Sequence, residues 1–150
     1  MKIAVLLLVA LASGCSGERA YRSELPANLA VTAKTSGSLL SSVGARLHVY
    51  DVGPGCKATY RGTVELGGSR TEVGVPAGSP SYLVFEFPRF SLIARSTTHF
   101  ETLLTPRPGY RYDLEASYAD DLYGATIYER PPAGKTRREV ASRPLTACGL

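Results

Sequence analysis

After an unbroken apolar run over residues 3–12, hydrophobic and polar positions alternate with period two, and no 3.6-residue period survives more than two turns. From Asn28, NLAVTAKT places Leu29, Val31 and Ala33 on one side and Asn28, Ala30, Thr32 and Lys34 on the other, as a first strand does. Residues 36–44, SGSLLSSVG, read as a Ser/Gly-rich connection. A clearer strand over residues 46–52 stops at Gly53-Pro54-Gly55, where proline lacks a donor and glycine tolerates positive φ. Residues 58–66 predict a strand with Tyr60, Val64 and Leu66 on one face and Thr59, Arg61, Thr63 and Glu65 on the other. Gly67-Gly68 is the turn, and residues 70–75 return with Val73 and Val75 inward.

The run SYLVFEF, residues 81–87, is nearly continuous in apolar residues, which predicts a strand buried on both faces and interrupted by Pro88. Residues 90–95 and 98–105 predict two more β segments before the stiff corner Pro106-Arg107-Pro108-Gly109. The cleanest alternation follows. Tyr110, Tyr112, Leu114, Ala116 and Tyr118 share one face, and Arg111, Asp113, Glu115 and Ser117 the other. Residues 119–122 make a hairpin turn, residues 123–129 return, and Pro131-Pro132-Ala133-Gly134 closes the folded part before a basic segment with Lys135, Arg137, Arg138 and Arg143. Eight or nine short strands separated by Gly/Pro turns predict an all-β chain, a single antiparallel β-sandwich.

The opening run has another meaning. Lys2 precedes it, and Ser13, Gly14 and Cys15 follow it. It is too short to span a bilayer core, which needs about 20 residues, and has the build of a secretory signal. Ala12-Ser13-Gly14-Cys15 resembles the lipobox of bacterial lipoproteins, with Ala12 where leucine is more typical. That resemblance implies a signal peptide over residues 1–14, cleavage before Cys15, and acylation of its sulfur and new amine. Residues 15–26 would then be the lipidated cysteine and a polar tether, and residues 27–150 the domain with its basic tail. The competing expectation is an ordinary signal peptide with an incidental cysteine.

Removing 14 of 150 residues leaves a chain suited to one core. The formal charge of +4 falls to +3 without Lys2, a mild excess that says little about partners. Of three cysteines the lipobox takes one, leaving Cys56 and Cys148 as a pair in a chain sent to an oxidising compartment. A disulfide between them is expected, since no further ligands stand at zinc-like spacing.

Candidate chemistry is sparse. The two histidines, His48 and His99, are expected to be surface residues, His48 facing solvent opposite Leu47 and Val49. No G-x-S-x-G elbow follows the signal. Asp120 and Asp121, with Asp113 and Glu115 on the neighbouring strand, could give calcium a few oxygens, but a solvated hairpin turn explains them better. Tyr110, Tyr112 and Tyr118 fit core packing better than sugar stacking. The basic segment could meet lipid phosphates, yet lacks four to eight contiguous cations. No catalytic set, metal ligand group or cofactor motif emerges, so a non-enzymatic role is expected.

Residues 46–129 are similar to small transthyretin-like and immunoglobulin-like modules of envelope lipoproteins, notably in the Pro-Gly-x-x-Tyr step from Pro108 to Tyr112. The resemblance implies a fold and a compartment, and no reaction. With Ser16 after the cysteine, where inner-membrane retention typically uses Asp, it implies an outer-membrane anchor facing the periplasm. The expected partners are the membrane, through acyl chains on Cys15, and an envelope protein, glycan or lipid; nucleic acid is not expected. The alternative is an inhibitor of, or small enzyme acting on, periplasmic glycan or protein.

Overall fold

A computed structural model describes residues 18–37, 41–67, 70–119, 122–134 and 136–148. Cys15 and the Asp120–Asp121 pair lie outside the described residues. The chain is all-β, with ten strands among the described residues: β1 (Leu29–Thr35), β2 (Ser41–Val43), β3 (Arg46–Gly53), β4 (Lys57–Glu65), β5 (Thr71–Val73), β6 (Ser81–Ser91), β7 (Arg95–Leu104), β8 (Arg111–Ala119), β9 (Leu122–Arg130) and β10 (Arg138–Val140). They form two sheets. The first has the order β10-β9-β8-β1-β5; in the second, β6 lies between β7 and β3, β3 pairs with β4, and β2 lies alongside β6.

The expectation of purely antiparallel pairing needs one correction. β1 runs parallel to β8, from Leu29 opposite Tyr112 to Thr35 opposite Tyr118, while it is antiparallel to β5 on its other edge. Parallel neighbours need a long crossover. The chain supplies one by building the second sheet between β1 and β8.

Pro88 does not end β6, which continues to Ser91. Its carbonyl accepts a hydrogen bond from Gly44 N–H at 2.9 Å, so the missing proline amide faces the same neighbour. The break falls there instead. β2 and β3 hold one register along β6, Val43 opposite Arg89 and Arg46 opposite Glu86, and are interrupted at Gly44-Ala45 beside the proline. The expected Ser/Gly connection therefore includes a short strand. Nor is β6 buried on both faces: Leu83, Phe85 and Phe87 are in the core, while Tyr82, Val84 and Glu86 are half-buried on the outer face.

Leu29, Val31 and Ala33 of β1 and Tyr112, Leu114, Ala116 and Tyr118 of β8 join Leu47, Val49, Leu83, Phe85 and Phe87 of the other sheet in a single buried cluster. Phe87 and Tyr118 stack across it with ring centres 5.6 Å apart. The alternation of β8 holds with one amendment. Asp113 points outward with Arg111 and Glu115 but is only 6% exposed, because Arg70, at 3.0 Å, and Arg130 cover its carboxylate.

The first and last described segments are both fastened across the sheets. Arg19 and Tyr21 continue the second sheet beyond β4: Thr63 N–H donates to Arg19 carbonyl and Tyr21 N–H to Thr63 carbonyl, each at 2.8 Å. Tyr21 hydroxyl then donates to Gly74 carbonyl at 2.7 Å, and the Asn28 amide exchanges two hydrogen bonds with Val75. The expected free tether is thus docked on the domain from Arg19 onward. At the other end, β10 pairs with β9, Leu103 N–H donates to Arg143 carbonyl at 2.7 Å, and Cys148 arrives beside Cys56. The basic segment is not simply a solvated tail. Arg137 pairs with Glu115 and Arg138 with Glu129.

Candidate functional site

The one cluster of converging titratable side chains that departs most from expectation lies on the outer face of the second sheet, and a bulge in β4 assembles it. Val49 stands opposite Gly62 but Tyr50 opposite Tyr60, so Arg61 is an extra residue on β4. Such a residue resets the alternation of its strand. Tyr60, expected on the face of Val64 and Leu66, is turned outward beside Thr63, and their hydroxyl oxygens lie 2.6 Å apart.

Cross-strand pairing does the rest. On β6, Glu86 stands opposite Arg46 of β3 and His99 of β7; one pleat along, His48 stands opposite Val84 and Thr63. His48 is on the outer face, as expected from its place between Leu47 and Val49, yet it is not a solvent-facing residue: it is 8% exposed. Its Nδ1 lies 2.7 Å from Thr63 Oγ1 and its Nε2 3.1 Å from Glu86 Oε2. The same Glu86 oxygen lies 3.5 Å from Nε2 of His99, which is half exposed. Glu86 Oε1 faces Arg46 at 3.6 Å. Arg46 also meets Glu65 at 3.0 Å and Glu18, from the docked N-terminal segment, at 3.4 Å.

Beside this cluster Tyr60, Tyr50 and Tyr82 form an aromatic row with ring centres 5.4 and 5.9 Å apart. Burial raises the pKa of Tyr82 well above its ordinary value, and the hydrogen bond and charge of Glu101 add to the rise. Tyr50 is raised chiefly by burial too, with Tyr60 and Glu86 contributing. Both phenols therefore stay neutral donors well into alkaline solution.

Thr63, His48 and Glu86 stand in line like a hydroxyl, a base and an orienting carboxylate. The hydroxyl is a poor nucleophile here. Thr63 is buried and capped by Tyr60, which leaves no room for an attacked carbonyl. The arrangement is instead suited to holding a cation or a polar group against a fixed imidazole.

A second exposed feature sits at the far end of β6. The β6–β7 hairpin turns through Ser91–Ala94, closed by Ser91 N–H to Ala94 carbonyl at 2.9 Å and by Ala94 N–H to Ser91 Oγ at 3.0 Å. Its two central residues, Leu92 and Ile93, are 82% and 97% exposed. Turn centres ordinarily hold Gly, Pro, Asn or Asp. Arg95 lies over the Phe90 ring at 5.5 Å, next to the tip. The sequence suggested a strand over residues 90–95; the two aliphatics occupy the turn instead.

The other expected residues fall as follows. Cys56 and Cys148 are in disulfide contact, with Cα atoms 5.7 Å apart, and join the β3–β4 connection to the C-terminal turn. Tyr112 and Tyr118 are buried and Tyr110 is half-buried. Asp113 and Glu115 are drawn to arginines and lie on the first sheet, away from the histidines. The Glu18–His48–Glu86–His99 cluster escaped the sequence reading because its members come from four segments, and only strand register and the bulge bring them together. A histidine inside an alternating strand was the one available signal.

No protein-family model matches this chain, and no curated protein matches it.

Proposed function

We propose that this protein is a non-catalytic, lipid-anchored binding module of the bacterial cell envelope, held to the outer membrane through acyl chains on Cys15 and facing the periplasm. The domain is read as a β-sandwich, supported by the two sheets and their shared buried cluster. The likeness to immunoglobulin-like modules gains support from Tyr112, whose hydroxyl accepts a hydrogen bond from Arg107 N–H at 3.0 Å; a tyrosine tied back to the backbone a few residues upstream recurs in such sandwiches.

The observation that carries the binding role is the hairpin tip. Leu92 and Ile93 project from a closed turn, where burial of each by a partner would contribute about 1.5–3 kcal/mol. Among the described residues, β7 pairs as a strand only with β6; the C-terminal segment covers its other edge from Glu101 onward, and the edge over Arg95–His99 is left for backbone pairing. An envelope protein, glycan or lipid surface is the partner class. The same projecting turn favours a second reading, an inhibitor that inserts Leu92 and Ile93 into the cleft of a periplasmic enzyme.

A photo-reactive residue at position 93 tests the role in intact cells. A discrete adduct from position 93, lost in Leu92→Asp and not formed from exposed Arg22, is the expected result. An adduct that is a glycan- or peptide-cleaving enzyme inhibited by the purified protein would select the second reading. Indistinguishable yields from positions 93 and 22 would overturn both.

A further inference from the structure

We propose that Glu18, His48, Glu86 and His99 form a binding site for one divalent transition-metal ion of the zinc type. Zinc takes imidazole nitrogen and carboxylate oxygen at about 2.0–2.2 Å in tetrahedral geometry, which sets neighbouring ligand atoms roughly 3.3 Å apart. Glu86 Oε2 lies 3.1 Å from His48 Nε2 and 3.5 Å from His99 Nε2. Ligand atoms of Glu18, His48 and Glu86 all lie within 4.8 Å of one another; His99 stands outside that close group, against Glu86 at 3.5 Å, and would have to move inward to supply the fourth ligand. Two imidazoles and two carboxylates favour zinc or copper over calcium or magnesium, which prefer all-oxygen shells.

The surroundings orient the ligands. A metal-bound imidazole donates its other N–H to a fixed acceptor, and His48 Nδ1 faces Thr63 Oγ1 at 2.7 Å. From there Thr63 hydroxyl can donate to Tyr60, and Tyr60 hydroxyl to Arg19 carbonyl at 3.4 Å, so every group keeps a partner when Nε2 gives its lone pair to an ion. Among the described residues, Arg46 is the cation ion-paired with the cluster, and Arg19 lines the same hollow. Arg46 engages Glu86 through Oε1, which leaves Oε2 aimed at the histidines, and it keeps Glu65 when Glu18 turns to an ion. His48 closes the floor of the site, while exposed Glu18 and half-exposed His99 leave an entry. Binding would clamp the N-terminal segment, through Glu18, onto the outer face of the second sheet.

Calorimetric titration of the untagged, oxidised mature chain with Zn²⁺, paired with Co²⁺ absorption spectra, tests the site. Expected are one ion per chain, the visible bands of four-coordinate Co²⁺, and affinity at least about tenfold weaker in Glu86→Gln and in His99→Ala. Glu101→Gln, on the same face but outside the cluster, should bind as the parent does. Thermal melts of each metal-free variant establish that it is folded. No saturable binding by the parent, or folded Glu86→Gln and His99→Ala that bind like the parent, would overturn the proposal.

Discussion

The backbone of Tyr21 crosses directly over Gly62, so close that a Cβ at Gly62 would lie 2.6 Å from both N and Cα of Tyr21. Gly62 also has φ of +152°, a conformation L side chains rarely adopt. One glycine therefore permits the β4 bulge and the docking of the N-terminal segment together. Gly62→Ala should lower stability by about 1–3 kcal/mol and release that segment. Denaturant melts give the loss, and limited trypsin digestion should show faster cleavage after Arg22. Unchanged cleavage would mean that the segment is held by contacts elsewhere.

The two faces of β8 provide a sharper test of packing. Leu114 is fully buried, and Leu114→Ala should destabilise by about 2–5 kcal/mol. Glu115 is exposed and paired with a surface arginine, Arg137; Glu115→Ala should cost no more than about 1 kcal/mol. Urea melts of the two variants decide it. Equal losses would contradict the assignment of faces.

Asp113 is a buried carboxylate of the first sheet held between two arginines. Burial alone would raise its pKa, but hydrogen bonds and charges from Arg130 and Arg70 outweigh that and hold it below the ordinary carboxylate value. A lowered folded-state pKa adds stability above the unfolded value, near 4, and that stability is lost as pH falls through the lower folded value. Asp113→Asn should therefore cost about 1–3 kcal/mol at pH 7 and flatten the fall of melting temperature with acid. Melts of parent and variant between roughly pH 2 and 6 should converge at the acid end; parallel curves would refute this linkage.

Sequence alternation revealed the strands that form the core, because Leu29, Val31 and Ala33, and Tyr112, Leu114 and Ala116, keep period two without interruption. It failed wherever a local irregularity resets the period. The extra Arg61 turned Tyr60 outward, and Pro88 shifted a break from its own strand to Gly44-Ala45 on the neighbour. At Leu92 and Ile93 the apolar residues mark a turn, since hydrophobicity alone does not distinguish a buried strand from a projecting tip. The histidine cluster was illegible for a different reason. Its spacing exists only in three dimensions, across β3, β6, β7 and the docked N-terminal segment.

Cys56 and Cys148, 92 positions apart in the sequence, close a loop that on the loop-entropy model contributes roughly 4–5 kcal/mol. Mass spectrometry of unreduced protein from an oxidising compartment should find the two cysteine peptides linked. Replacing both by Ser should lower stability by up to that amount while leaving the β8 face assignments unchanged. Free thiols at both positions would count against the bridge.

Under the proposed anchoring, this domain works while held at a membrane by Cys15. With docking beginning at Arg19, four residue steps separate that cysteine from the folded body, a reach of at most about 14 Å. Intact mass and N-terminal sequencing of mature protein extracted from membranes test the claim most directly. The expected product begins at Cys15 and carries a diacylglyceryl group on sulfur and an acyl chain on the amine; Cys15→Ala should stay uncleaved or be released from the membrane. A mature chain that begins elsewhere, or bears an unmodified Cys15 and fractionates as a soluble protein, would contradict it.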